Sequence, residues 1–176
     1  MARFYYDGNY PANQWINGWR WPTWTDVPAP TGFVVGRLTA ELWMSANPDN
    51  WRVYHYDARG RTTREDVLIG QGDMFTTQYG YDPLDRVEQM IYPDGEVLTY
   101  EYNAQGLPER LTSSTGGTYV DSMDYDALGR VVERVLGSGT YRTRYTYYDW
   151  EIPNGNAGRL EKVETAQQVL PTVCKA

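Results

Sequence analysis

The sequence predicts an all-β protein built as a meander of antiparallel β-hairpin repeats. A short tyrosine- and aspartate-bearing unit recurs along the chain, strand-length segments rich in Val, Ile, Thr and Tyr lie between its copies, and glycine turn signals separate those segments. At 176 residues the chain is long enough for one domain with a core, or for one segment of a larger array. Sixteen Tyr against 3 Phe put most of the aromatic mass on rings with a polar tip.

Residues 1–50 read as an N-terminal unit opened by an insertion. Tyr5-Tyr6-Asp7-Gly8 begins a unit whose Gly36-Arg37-Leu38 stands far downstream, and Trp15, Trp19, Trp21 and Trp24 lie between. Residues 51–165 read as tandem repeats. Tyr54-His55-Tyr56-Asp57-Ala58-Arg59-Gly60-Arg61 aligns with Tyr79-Gly80-Tyr81-Asp82-Pro83-Leu84-Asp85-Arg86. Two further copies follow, Tyr100-Glu101-Tyr102-Asn103-Ala104-Gln105-Gly106-Leu107 and Met123-Asp124-Tyr125-Asp126-Ala127-Leu128-Gly129-Arg130. Tyr148 before Asp149 marks a fifth, separated from Gly158-Arg159 by a shorter insertion. The second tyrosines are 25, 21, 23 and 23 residues apart. Residues 166–176 hold no glycine and no unit, so they read as one more strand or a tail.

Each part of the unit has a physical role. Tyrosines at i and i+2 share one face of a strand, and the residue between them faces the other way. The Asp, or Asn103 in the third copy, accepts from backbone N–H groups ahead of it, and Gly60, Gly106 and Gly129 supply φ > 0 where the chain turns back. That suits a hairpin on a type I turn followed by a left-handed residue. Asp85 replaces the glycine in the second copy, and Asp tolerates the left-handed region better than most side chains. A second set of turns is expected at Gly70-Gln71-Gly72-Asp73, Pro93-Asp94-Gly95, 113–117 and Gly137-Ser138-Gly139. Strands are expected over 87–92, 97–102, 118–124, 131–136 and 140–147, in a meander of roughly ten to twelve strands.

Composition narrows the function. No apolar run approaches the length of a membrane-spanning helix, so no membrane insertion is expected. The net charge of −7 disfavours a nucleic-acid partner, whose phosphates demand cationic neutralisation. A single cysteine, Cys174, excludes an intramolecular disulfide framework and a multi-cysteine zinc site.

The recurring Tyr-Asp-x-x-Gly-Arg unit, in register from Tyr54 to Arg130, resembles the Rhs or YD-repeat family of bacterial polymorphic toxins, insecticidal toxin-complex shell components and animal teneurins. The resemblance implies that the antiparallel β-hairpin repeats form a curved or spiralling sheet, part of a long sheet wound into a shell that in toxin relatives encloses an effector. It makes Tyr56, Asp57, Gly60, Tyr81, Asp82, Tyr102, Asn103, Gly106, Tyr125, Asp126 and Gly129 structural. It also implies partners, either neighbouring YD repeats or further copies of the chain, an effector domain or a surface glycan, and an exported or cell-surface location within a larger bacterial protein. Toxin members close their shell with a self-cleaving Asp-Pro-x-Gly site. Asp82-Pro83-Leu84-Asp85 lacks that glycine and sits inside an ordinary repeat.

No residue pattern marks an enzyme, and no cofactor or metal site is expected. Recurrent aspartates read as turn caps, because a catalytic carboxylate pair occurs once. The lone His55 reads as an ordinary strand residue on the face opposite Tyr54 and Tyr56. Trp15, Trp19, Trp21 and Trp24 suit either a lid over an open end of the core or a platform for carbohydrate or protein. The leading expectation is a non-enzymatic shell segment. A binding module using the tryptophan insertion is the alternative.

Overall fold

A computed structural model of the chain describes residues 2–7, 15–16, 19–20, 30–43, 50–69, 73–151 and 156–167. The described chain is strand and turn throughout: β1 (Ala2–Tyr6), β2 (Trp15–Ile16), β3 (Trp19–Arg20), β4 (Leu38–Trp43), β5 (Asn50–Tyr56), β6 (Thr62–Ile69), β7 (Asp73–Tyr81), β8 (Val87–Ile91), β9 (Val97–Tyr102), β10 (Pro108–Ser113), β11 (Gly117–Tyr125), β12 (Val131–Leu136), β13 (Tyr141–Tyr147) and β14 (Leu160–Gln167). The all-β antiparallel class is therefore as the sequence predicts. Contacts group the chain into two blocks, Met1–Gly95 and Glu96–Ala176, so β14 runs across residues 165 and 166 inside the second.

Within the first block the strands pair in the order β1-β4-β5-β6-β7-β8, and β2 and β3 form a separate short ribbon. Within the second the order is β9-β10-β11-β12-β13-β14. Every pairing is a meander step between antiparallel neighbours, except that β1 skips the insertion and pairs with β4.

One feature recurs that no turn signal announces. Each strand that enters a Tyr-Asp turn ends in a tyrosine, and each strand that leaves it starts with a residue paired to that tyrosine: Tyr6↔Leu38, Tyr56↔Thr62, Tyr81↔Val87, Tyr102↔Pro108, Tyr125↔Val131 and Tyr147↔Leu160. In all six the next residue of the leaving strand is skipped, which makes a β-bulge. The extra residues are Thr39, Thr63, Glu88, Glu109, Val132 and Glu161. Such a bulge interrupts the hydrogen-bond ladder and increases local twist.

The core of the first block follows strict alternation along β5, where Trp51, Val53 and His55 are buried and their neighbours are not. Ala40, Leu42, Trp51 and Val53 form the buried cluster, with Tyr5 and Leu68 against it and the Tyr5 ring stacked on Trp51 at 6.0 Å. The second block buries less, with Leu98, Val135 and Thr143 the residues withdrawn from solvent among those described. Leu42 is fully enclosed, so Leu42→Ala is expected to lower the unfolding free energy of the first block by about 2–5 kcal/mol, read from chemical denaturation.

Candidate functional site

The repeated turn is the most elaborate polar structure in the chain. In the copy at Asp57 the backbone closes through the Asp57 N–H to the Arg61 carbonyl and the Gly60 N–H to the Asp57 carbonyl, both at 3.0 Å. Asp57 Oδ1 accepts from the N–H groups of Arg59 (2.9 Å) and Arg61 (3.0 Å), and Oδ2 holds Arg61 Nε at 2.7 Å. Asp82 repeats this with Leu84 and Arg86, and Asp126 with Leu128 and Arg130. Gly60, Gly106 and Gly129 have φ of 82°, 82° and 76°, and Asp85 adopts 65° in the equivalent place.

Each turn also grips the next strand. The Tyr81 hydroxyl donates to the Thr62 carbonyl at 2.6 Å, Tyr125 to Pro108 at 2.5 Å and Tyr147 to Val131 at 2.9 Å, and Tyr56 donates to the Leu38 carbonyl. All four acceptors are first residues of leaving strands, at the interrupted rung of the ladder. The arginine that closes the turn lies over the same ring, held by the turn aspartate at Arg61 and Arg130 and by the Phe33 and Val35 carbonyls at Arg37. Arg61 sits 4.6 Å from the Tyr81 centroid, Arg130 4.1 Å from Tyr147, and Arg37 5.7 Å from Tyr56. Tyrosine, aspartate, glycine and arginine thus make one clamp between consecutive repeats, each cation–π contact contributing about 0.5–1 kcal/mol at such exposure.

Departures from the motif are compensated locally. The Gly60 position is pressed by the Arg37 guanidinium, which a side chain there would strike. Asp85 occupies the matching position in the next turn and converts that closeness into ion pairs, with Arg59 and Arg61 both at 2.6 Å from Oδ1. Asn103 caps its turn through the N–H groups of Gln105 and Leu107, both at 3.0 Å, but has no second carboxylate oxygen to hold an arginine. Leu107 stands where the arginine would, in van der Waals range of Gly129.

The end units differ from the sequence expectation in one register. The Tyr148 N–H bonds to the Arg159 carbonyl (2.9 Å), so Tyr148 takes the turn position of Asp57 and Tyr147, not Tyr148, is the clamp tyrosine. At the start, the Asp7 N–H meets the Arg37 carbonyl at 3.1 Å across the insertion, and Asp7 also receives the Gly36 N–H. Trp15 and Trp19 belong to the β2–β3 ribbon, while their side chains, Trp21 and Trp24 lie outside the described residues.

Sequence reasoning missed a buried polar cluster. His55 is 3% exposed and Asp66 1%. A backbone N–H can only donate, so the Thr31 N–H at 3.1 Å makes His55 Nδ1 an acceptor and puts the imidazole proton on Nε2, 2.8 Å from Asp66 Oδ2. Asp66 also takes Thr76 Oγ1 (2.6 Å) and Arg64 Nε (2.8 Å). Burial pushes its carboxyl up, yet these three donors together hold it below the ordinary value. The imidazole is spoken for on both nitrogens, and it ties Thr31 to β5. Nothing in Arg64-Glu65-Asp66-Val67 distinguishes the buried acid from the half-buried one beside it.

A cavity of about 310 Å³ opens on the second block, lined by Met123, Val131, Arg134, Tyr145, Tyr147 and Leu160. Arg134 is its one charged group, 5.6 Å from the Tyr145 centroid. No group of three or more His, Cys, Asp or Glu is placed to hold a metal among the described residues.

Comparisons with known proteins agree with this architecture. No family model matches the chain, and no curated protein matches it. Solved structures do. A crystal structure of TcdB2-TccC3-Cdc42 matches with a TM-score of 0.56 at 14% identity, and one of TcdB2-TccC3 gives the same values. The Photorhabdus luminescens Tc holotoxin pore matches with a TM-score of 0.57 at 16% identity. Each match covers 75% of this chain but 7% of the matched chain, so the likeness is one of fold over a small part of a much longer polypeptide.

Two outcomes test the clamp. Tyr81→Phe deletes one hydroxyl donor and is expected to cost about 1 kcal/mol in denaturant unfolding, with the far-ultraviolet circular dichroism unchanged. The turn aspartates supply the pH dependence. Desolvation pushes Asp57 and Asp82 up, but the N–H groups and arginine of each turn outweigh it and hold both low; at Asp126 the Arg130 N–H is the leading cause of the same lowering. Their contribution is therefore complete above the ordinary aspartate pKa of about 3.9 and is lost as pH falls through the lower folded-state values. Denaturation midpoints should hold steady from neutral pH to about 5 and drop below about 4. Triple substitution of Asp57, Asp82 and Asp126 by Asn should flatten that drop.

Proposed function

We propose that the chain is a wall segment of an Rhs-like shell, a structural and non-enzymatic element that encloses or presents an effector or mediates contact at a cell surface. The observation that carries this reading is the clamp itself. Its most conspicuous acids, cations and aromatic hydroxyls are engaged in holding one repeat to the next, which is how a wall uses them and a catalytic centre does not. The toxin-complex chains that share the fold support the same assignment. So does the modest core, since a wall exposes two broad faces, and Phe33, Val35, Met74, Phe75, Leu128 and Trp150 are all exposed. On this reading the partners are further Tyr-Asp repeats and the effector they surround, and the setting is an exported or surface-bound bacterial protein.

A second reading gives the Trp-rich insertion a binding role for carbohydrate or protein. Intrinsic tryptophan fluorescence separates the two when the protein is titrated with a broad glycan panel. The wall reading expects no saturable change, and it expects Asp57→Ala, Asp82→Ala and Asp126→Ala each to lower the thermal midpoint by several degrees. A saturable shift abolished by Trp19→Ala or Trp24→Ala, with the midpoint unchanged, would favour the binding module. Turn substitutions that leave the midpoint untouched would count against the wall.

A further inference from the structure

Arginines that lie over aromatic rings in this chain also reach an oxygen, and Arg134 breaks that pattern. Arg61 and Arg130 stack on Tyr81 and Tyr147 while each holds the carboxylate of its own turn. Arg52 lies over Trp43 and pairs with Glu65 at 2.7 Å, and Arg37 lies over Tyr56 and donates to the Phe33 carbonyl at 2.8 Å. Arg134 lies 5.6 Å from the Tyr145 centroid, yet its Nε is buried with no acceptor among the described residues. The acid beside it, Glu133, points to the other face of β12, where Arg142 and Arg144 share it at 3.3 and 2.7 Å. Asp121, on the strand paired with β12, takes the Gly139 N–H. A buried guanidinium N–H without an acceptor is costly, and it marks a place where an oxygen belongs.

Arg134 is also the one cation of the cavity on the second block, whose other walls are Met123 of β11, Val131 of β12, Tyr145 and Tyr147 of β13 and Leu160 of β14. Two of those walls are fixed in advance, because the Tyr147 hydroxyl donates to the Val131 carbonyl at 2.9 Å and Arg130 lies 4.1 Å from the Tyr147 ring centroid. A ligand is thereby spared the cost of ordering them. The site is not a strand edge. β12 and β13 carry four of its six lining residues, and each has a strand on both sides. A tyrosine from any further strand beside β14 would, on the pattern of Tyr147 with Val131, reach its immediate neighbour β14 and not β12. We propose that this cavity binds an apolar carboxylate, with the acid group on Arg134 and a body about the size of one benzyl group among Met123, Tyr145 and Leu160. The unmet Nε calls for a negatively charged oxygen, which a planar guanidinium pairs better than any other side chain does. A volume of about 310 Å³ lies at the lower end for ligand sites and admits one ring or branched chain. A single cation in a chain of net charge −7 disfavours polyanions. The carboxylate can belong to a free acid or to the last residue of a peptide.

Titration of the full chain, labelled with carbon-13 at its methionine methyls, tests the site. With 3-phenylpropionate as probe, calorimetry should show saturable binding, and the Met123 methyl signal, identified by its loss in Met123→Leu, should move more than those of the other four methionines. 3-Phenylpropanol keeps the body and loses the charge, and acetate keeps the charge and loses the body; each is expected to bind about tenfold more weakly or worse. Arg134→Gln should weaken the acid about tenfold and leave the alcohol unchanged, with the thermal midpoint preserved. Leu160→Trp leaves Arg134 in place, narrows the cavity and should exclude both. N-acetyl-Gly-Gly-Phe and its C-terminal amide separate the sources: tighter binding of the peptide acid than of 3-phenylpropionate assigns the site to a chain end, and weaker binding assigns it to a free acid. No saturation with either acid, equal affinity for acid and alcohol, an unmoved Met123 signal, or indifference to Arg134→Gln would overturn the proposal. The wall reading survives each of those results, because Tyr81→Phe and the turn-aspartate substitutions test it without touching the cavity.

Discussion

The bulge that follows every Tyr-Asp turn is the constraint around which the repeat is organised. Skipping one residue at Thr39, Thr63, Glu88, Glu109, Val132 and Glu161 takes a rung out of the ladder where each leaving strand begins. A carbonyl at such a rung needs a donor from outside the regular pattern. At Leu38, Thr62, Pro108 and Val131 that donor is the tyrosine of the following strand. The preference for Tyr over Phe follows directly, because a phenyl ring would cover the same surface and leave the carbonyl unmet. The arginine is a consequence in turn. Fixed by the carboxylate of its own turn, it gives the ring a cation to lie against, and that pairing works because the planar guanidinium stacks as well as donates.

Much of this was legible in the sequence. The strands over 87–91, 97–102, 131–136 and 141–147 lie within one residue of the segments that β-propensity and turn signals mark out. The Asp and Gly roles in the turn were readable because both depend on local geometry, and local geometry is written in neighbouring residues. What was not readable depends on partners distant along the chain. The Tyr-to-carbonyl bond spans 16 to 19 residues, and no spacing rule points to an acceptor on the main chain. The fifth unit shows the limit of matching letters. Tyr147, Tyr148 and Asp149 offer two ways to align the motif, and the hydrogen bonds choose Tyr147.

The His55 cluster belongs to the same lesson. Alternation along β5 correctly puts His55 on the face opposite Tyr54 and Tyr56, but an ordinary strand residue it is not. Its imidazole joins Thr31 on one side to Asp66 on the other, and Asp66 draws Thr76 and Arg64 into the same buried network. Burying an acid is costly unless each of its oxygens is satisfied, and here each is. The cluster is a polar patch within an otherwise apolar face, next to Trp51 and Val53 on the same strand. It gives the first block a set of directional contacts that shape complementarity alone would not.

The hydrogen bond between the Asp7 N–H and the Arg37 carbonyl closes a turn around 31 residues, where its counterpart between Asp57 and Arg61 closes one around five. Closing the longer loop costs only about 1.6 kcal/mol more, since that penalty grows with the logarithm of length. The Tyr-Asp turn can therefore act as an insertion port, at which evolution adds a foreign segment of any composition while the strands on either side keep their register. Diversity in such a protein would accumulate at the tips of its hairpins, and the tryptophan-bearing stretch after Asp7 would be one such graft, free to change its chemistry without renegotiating the sheet beneath it.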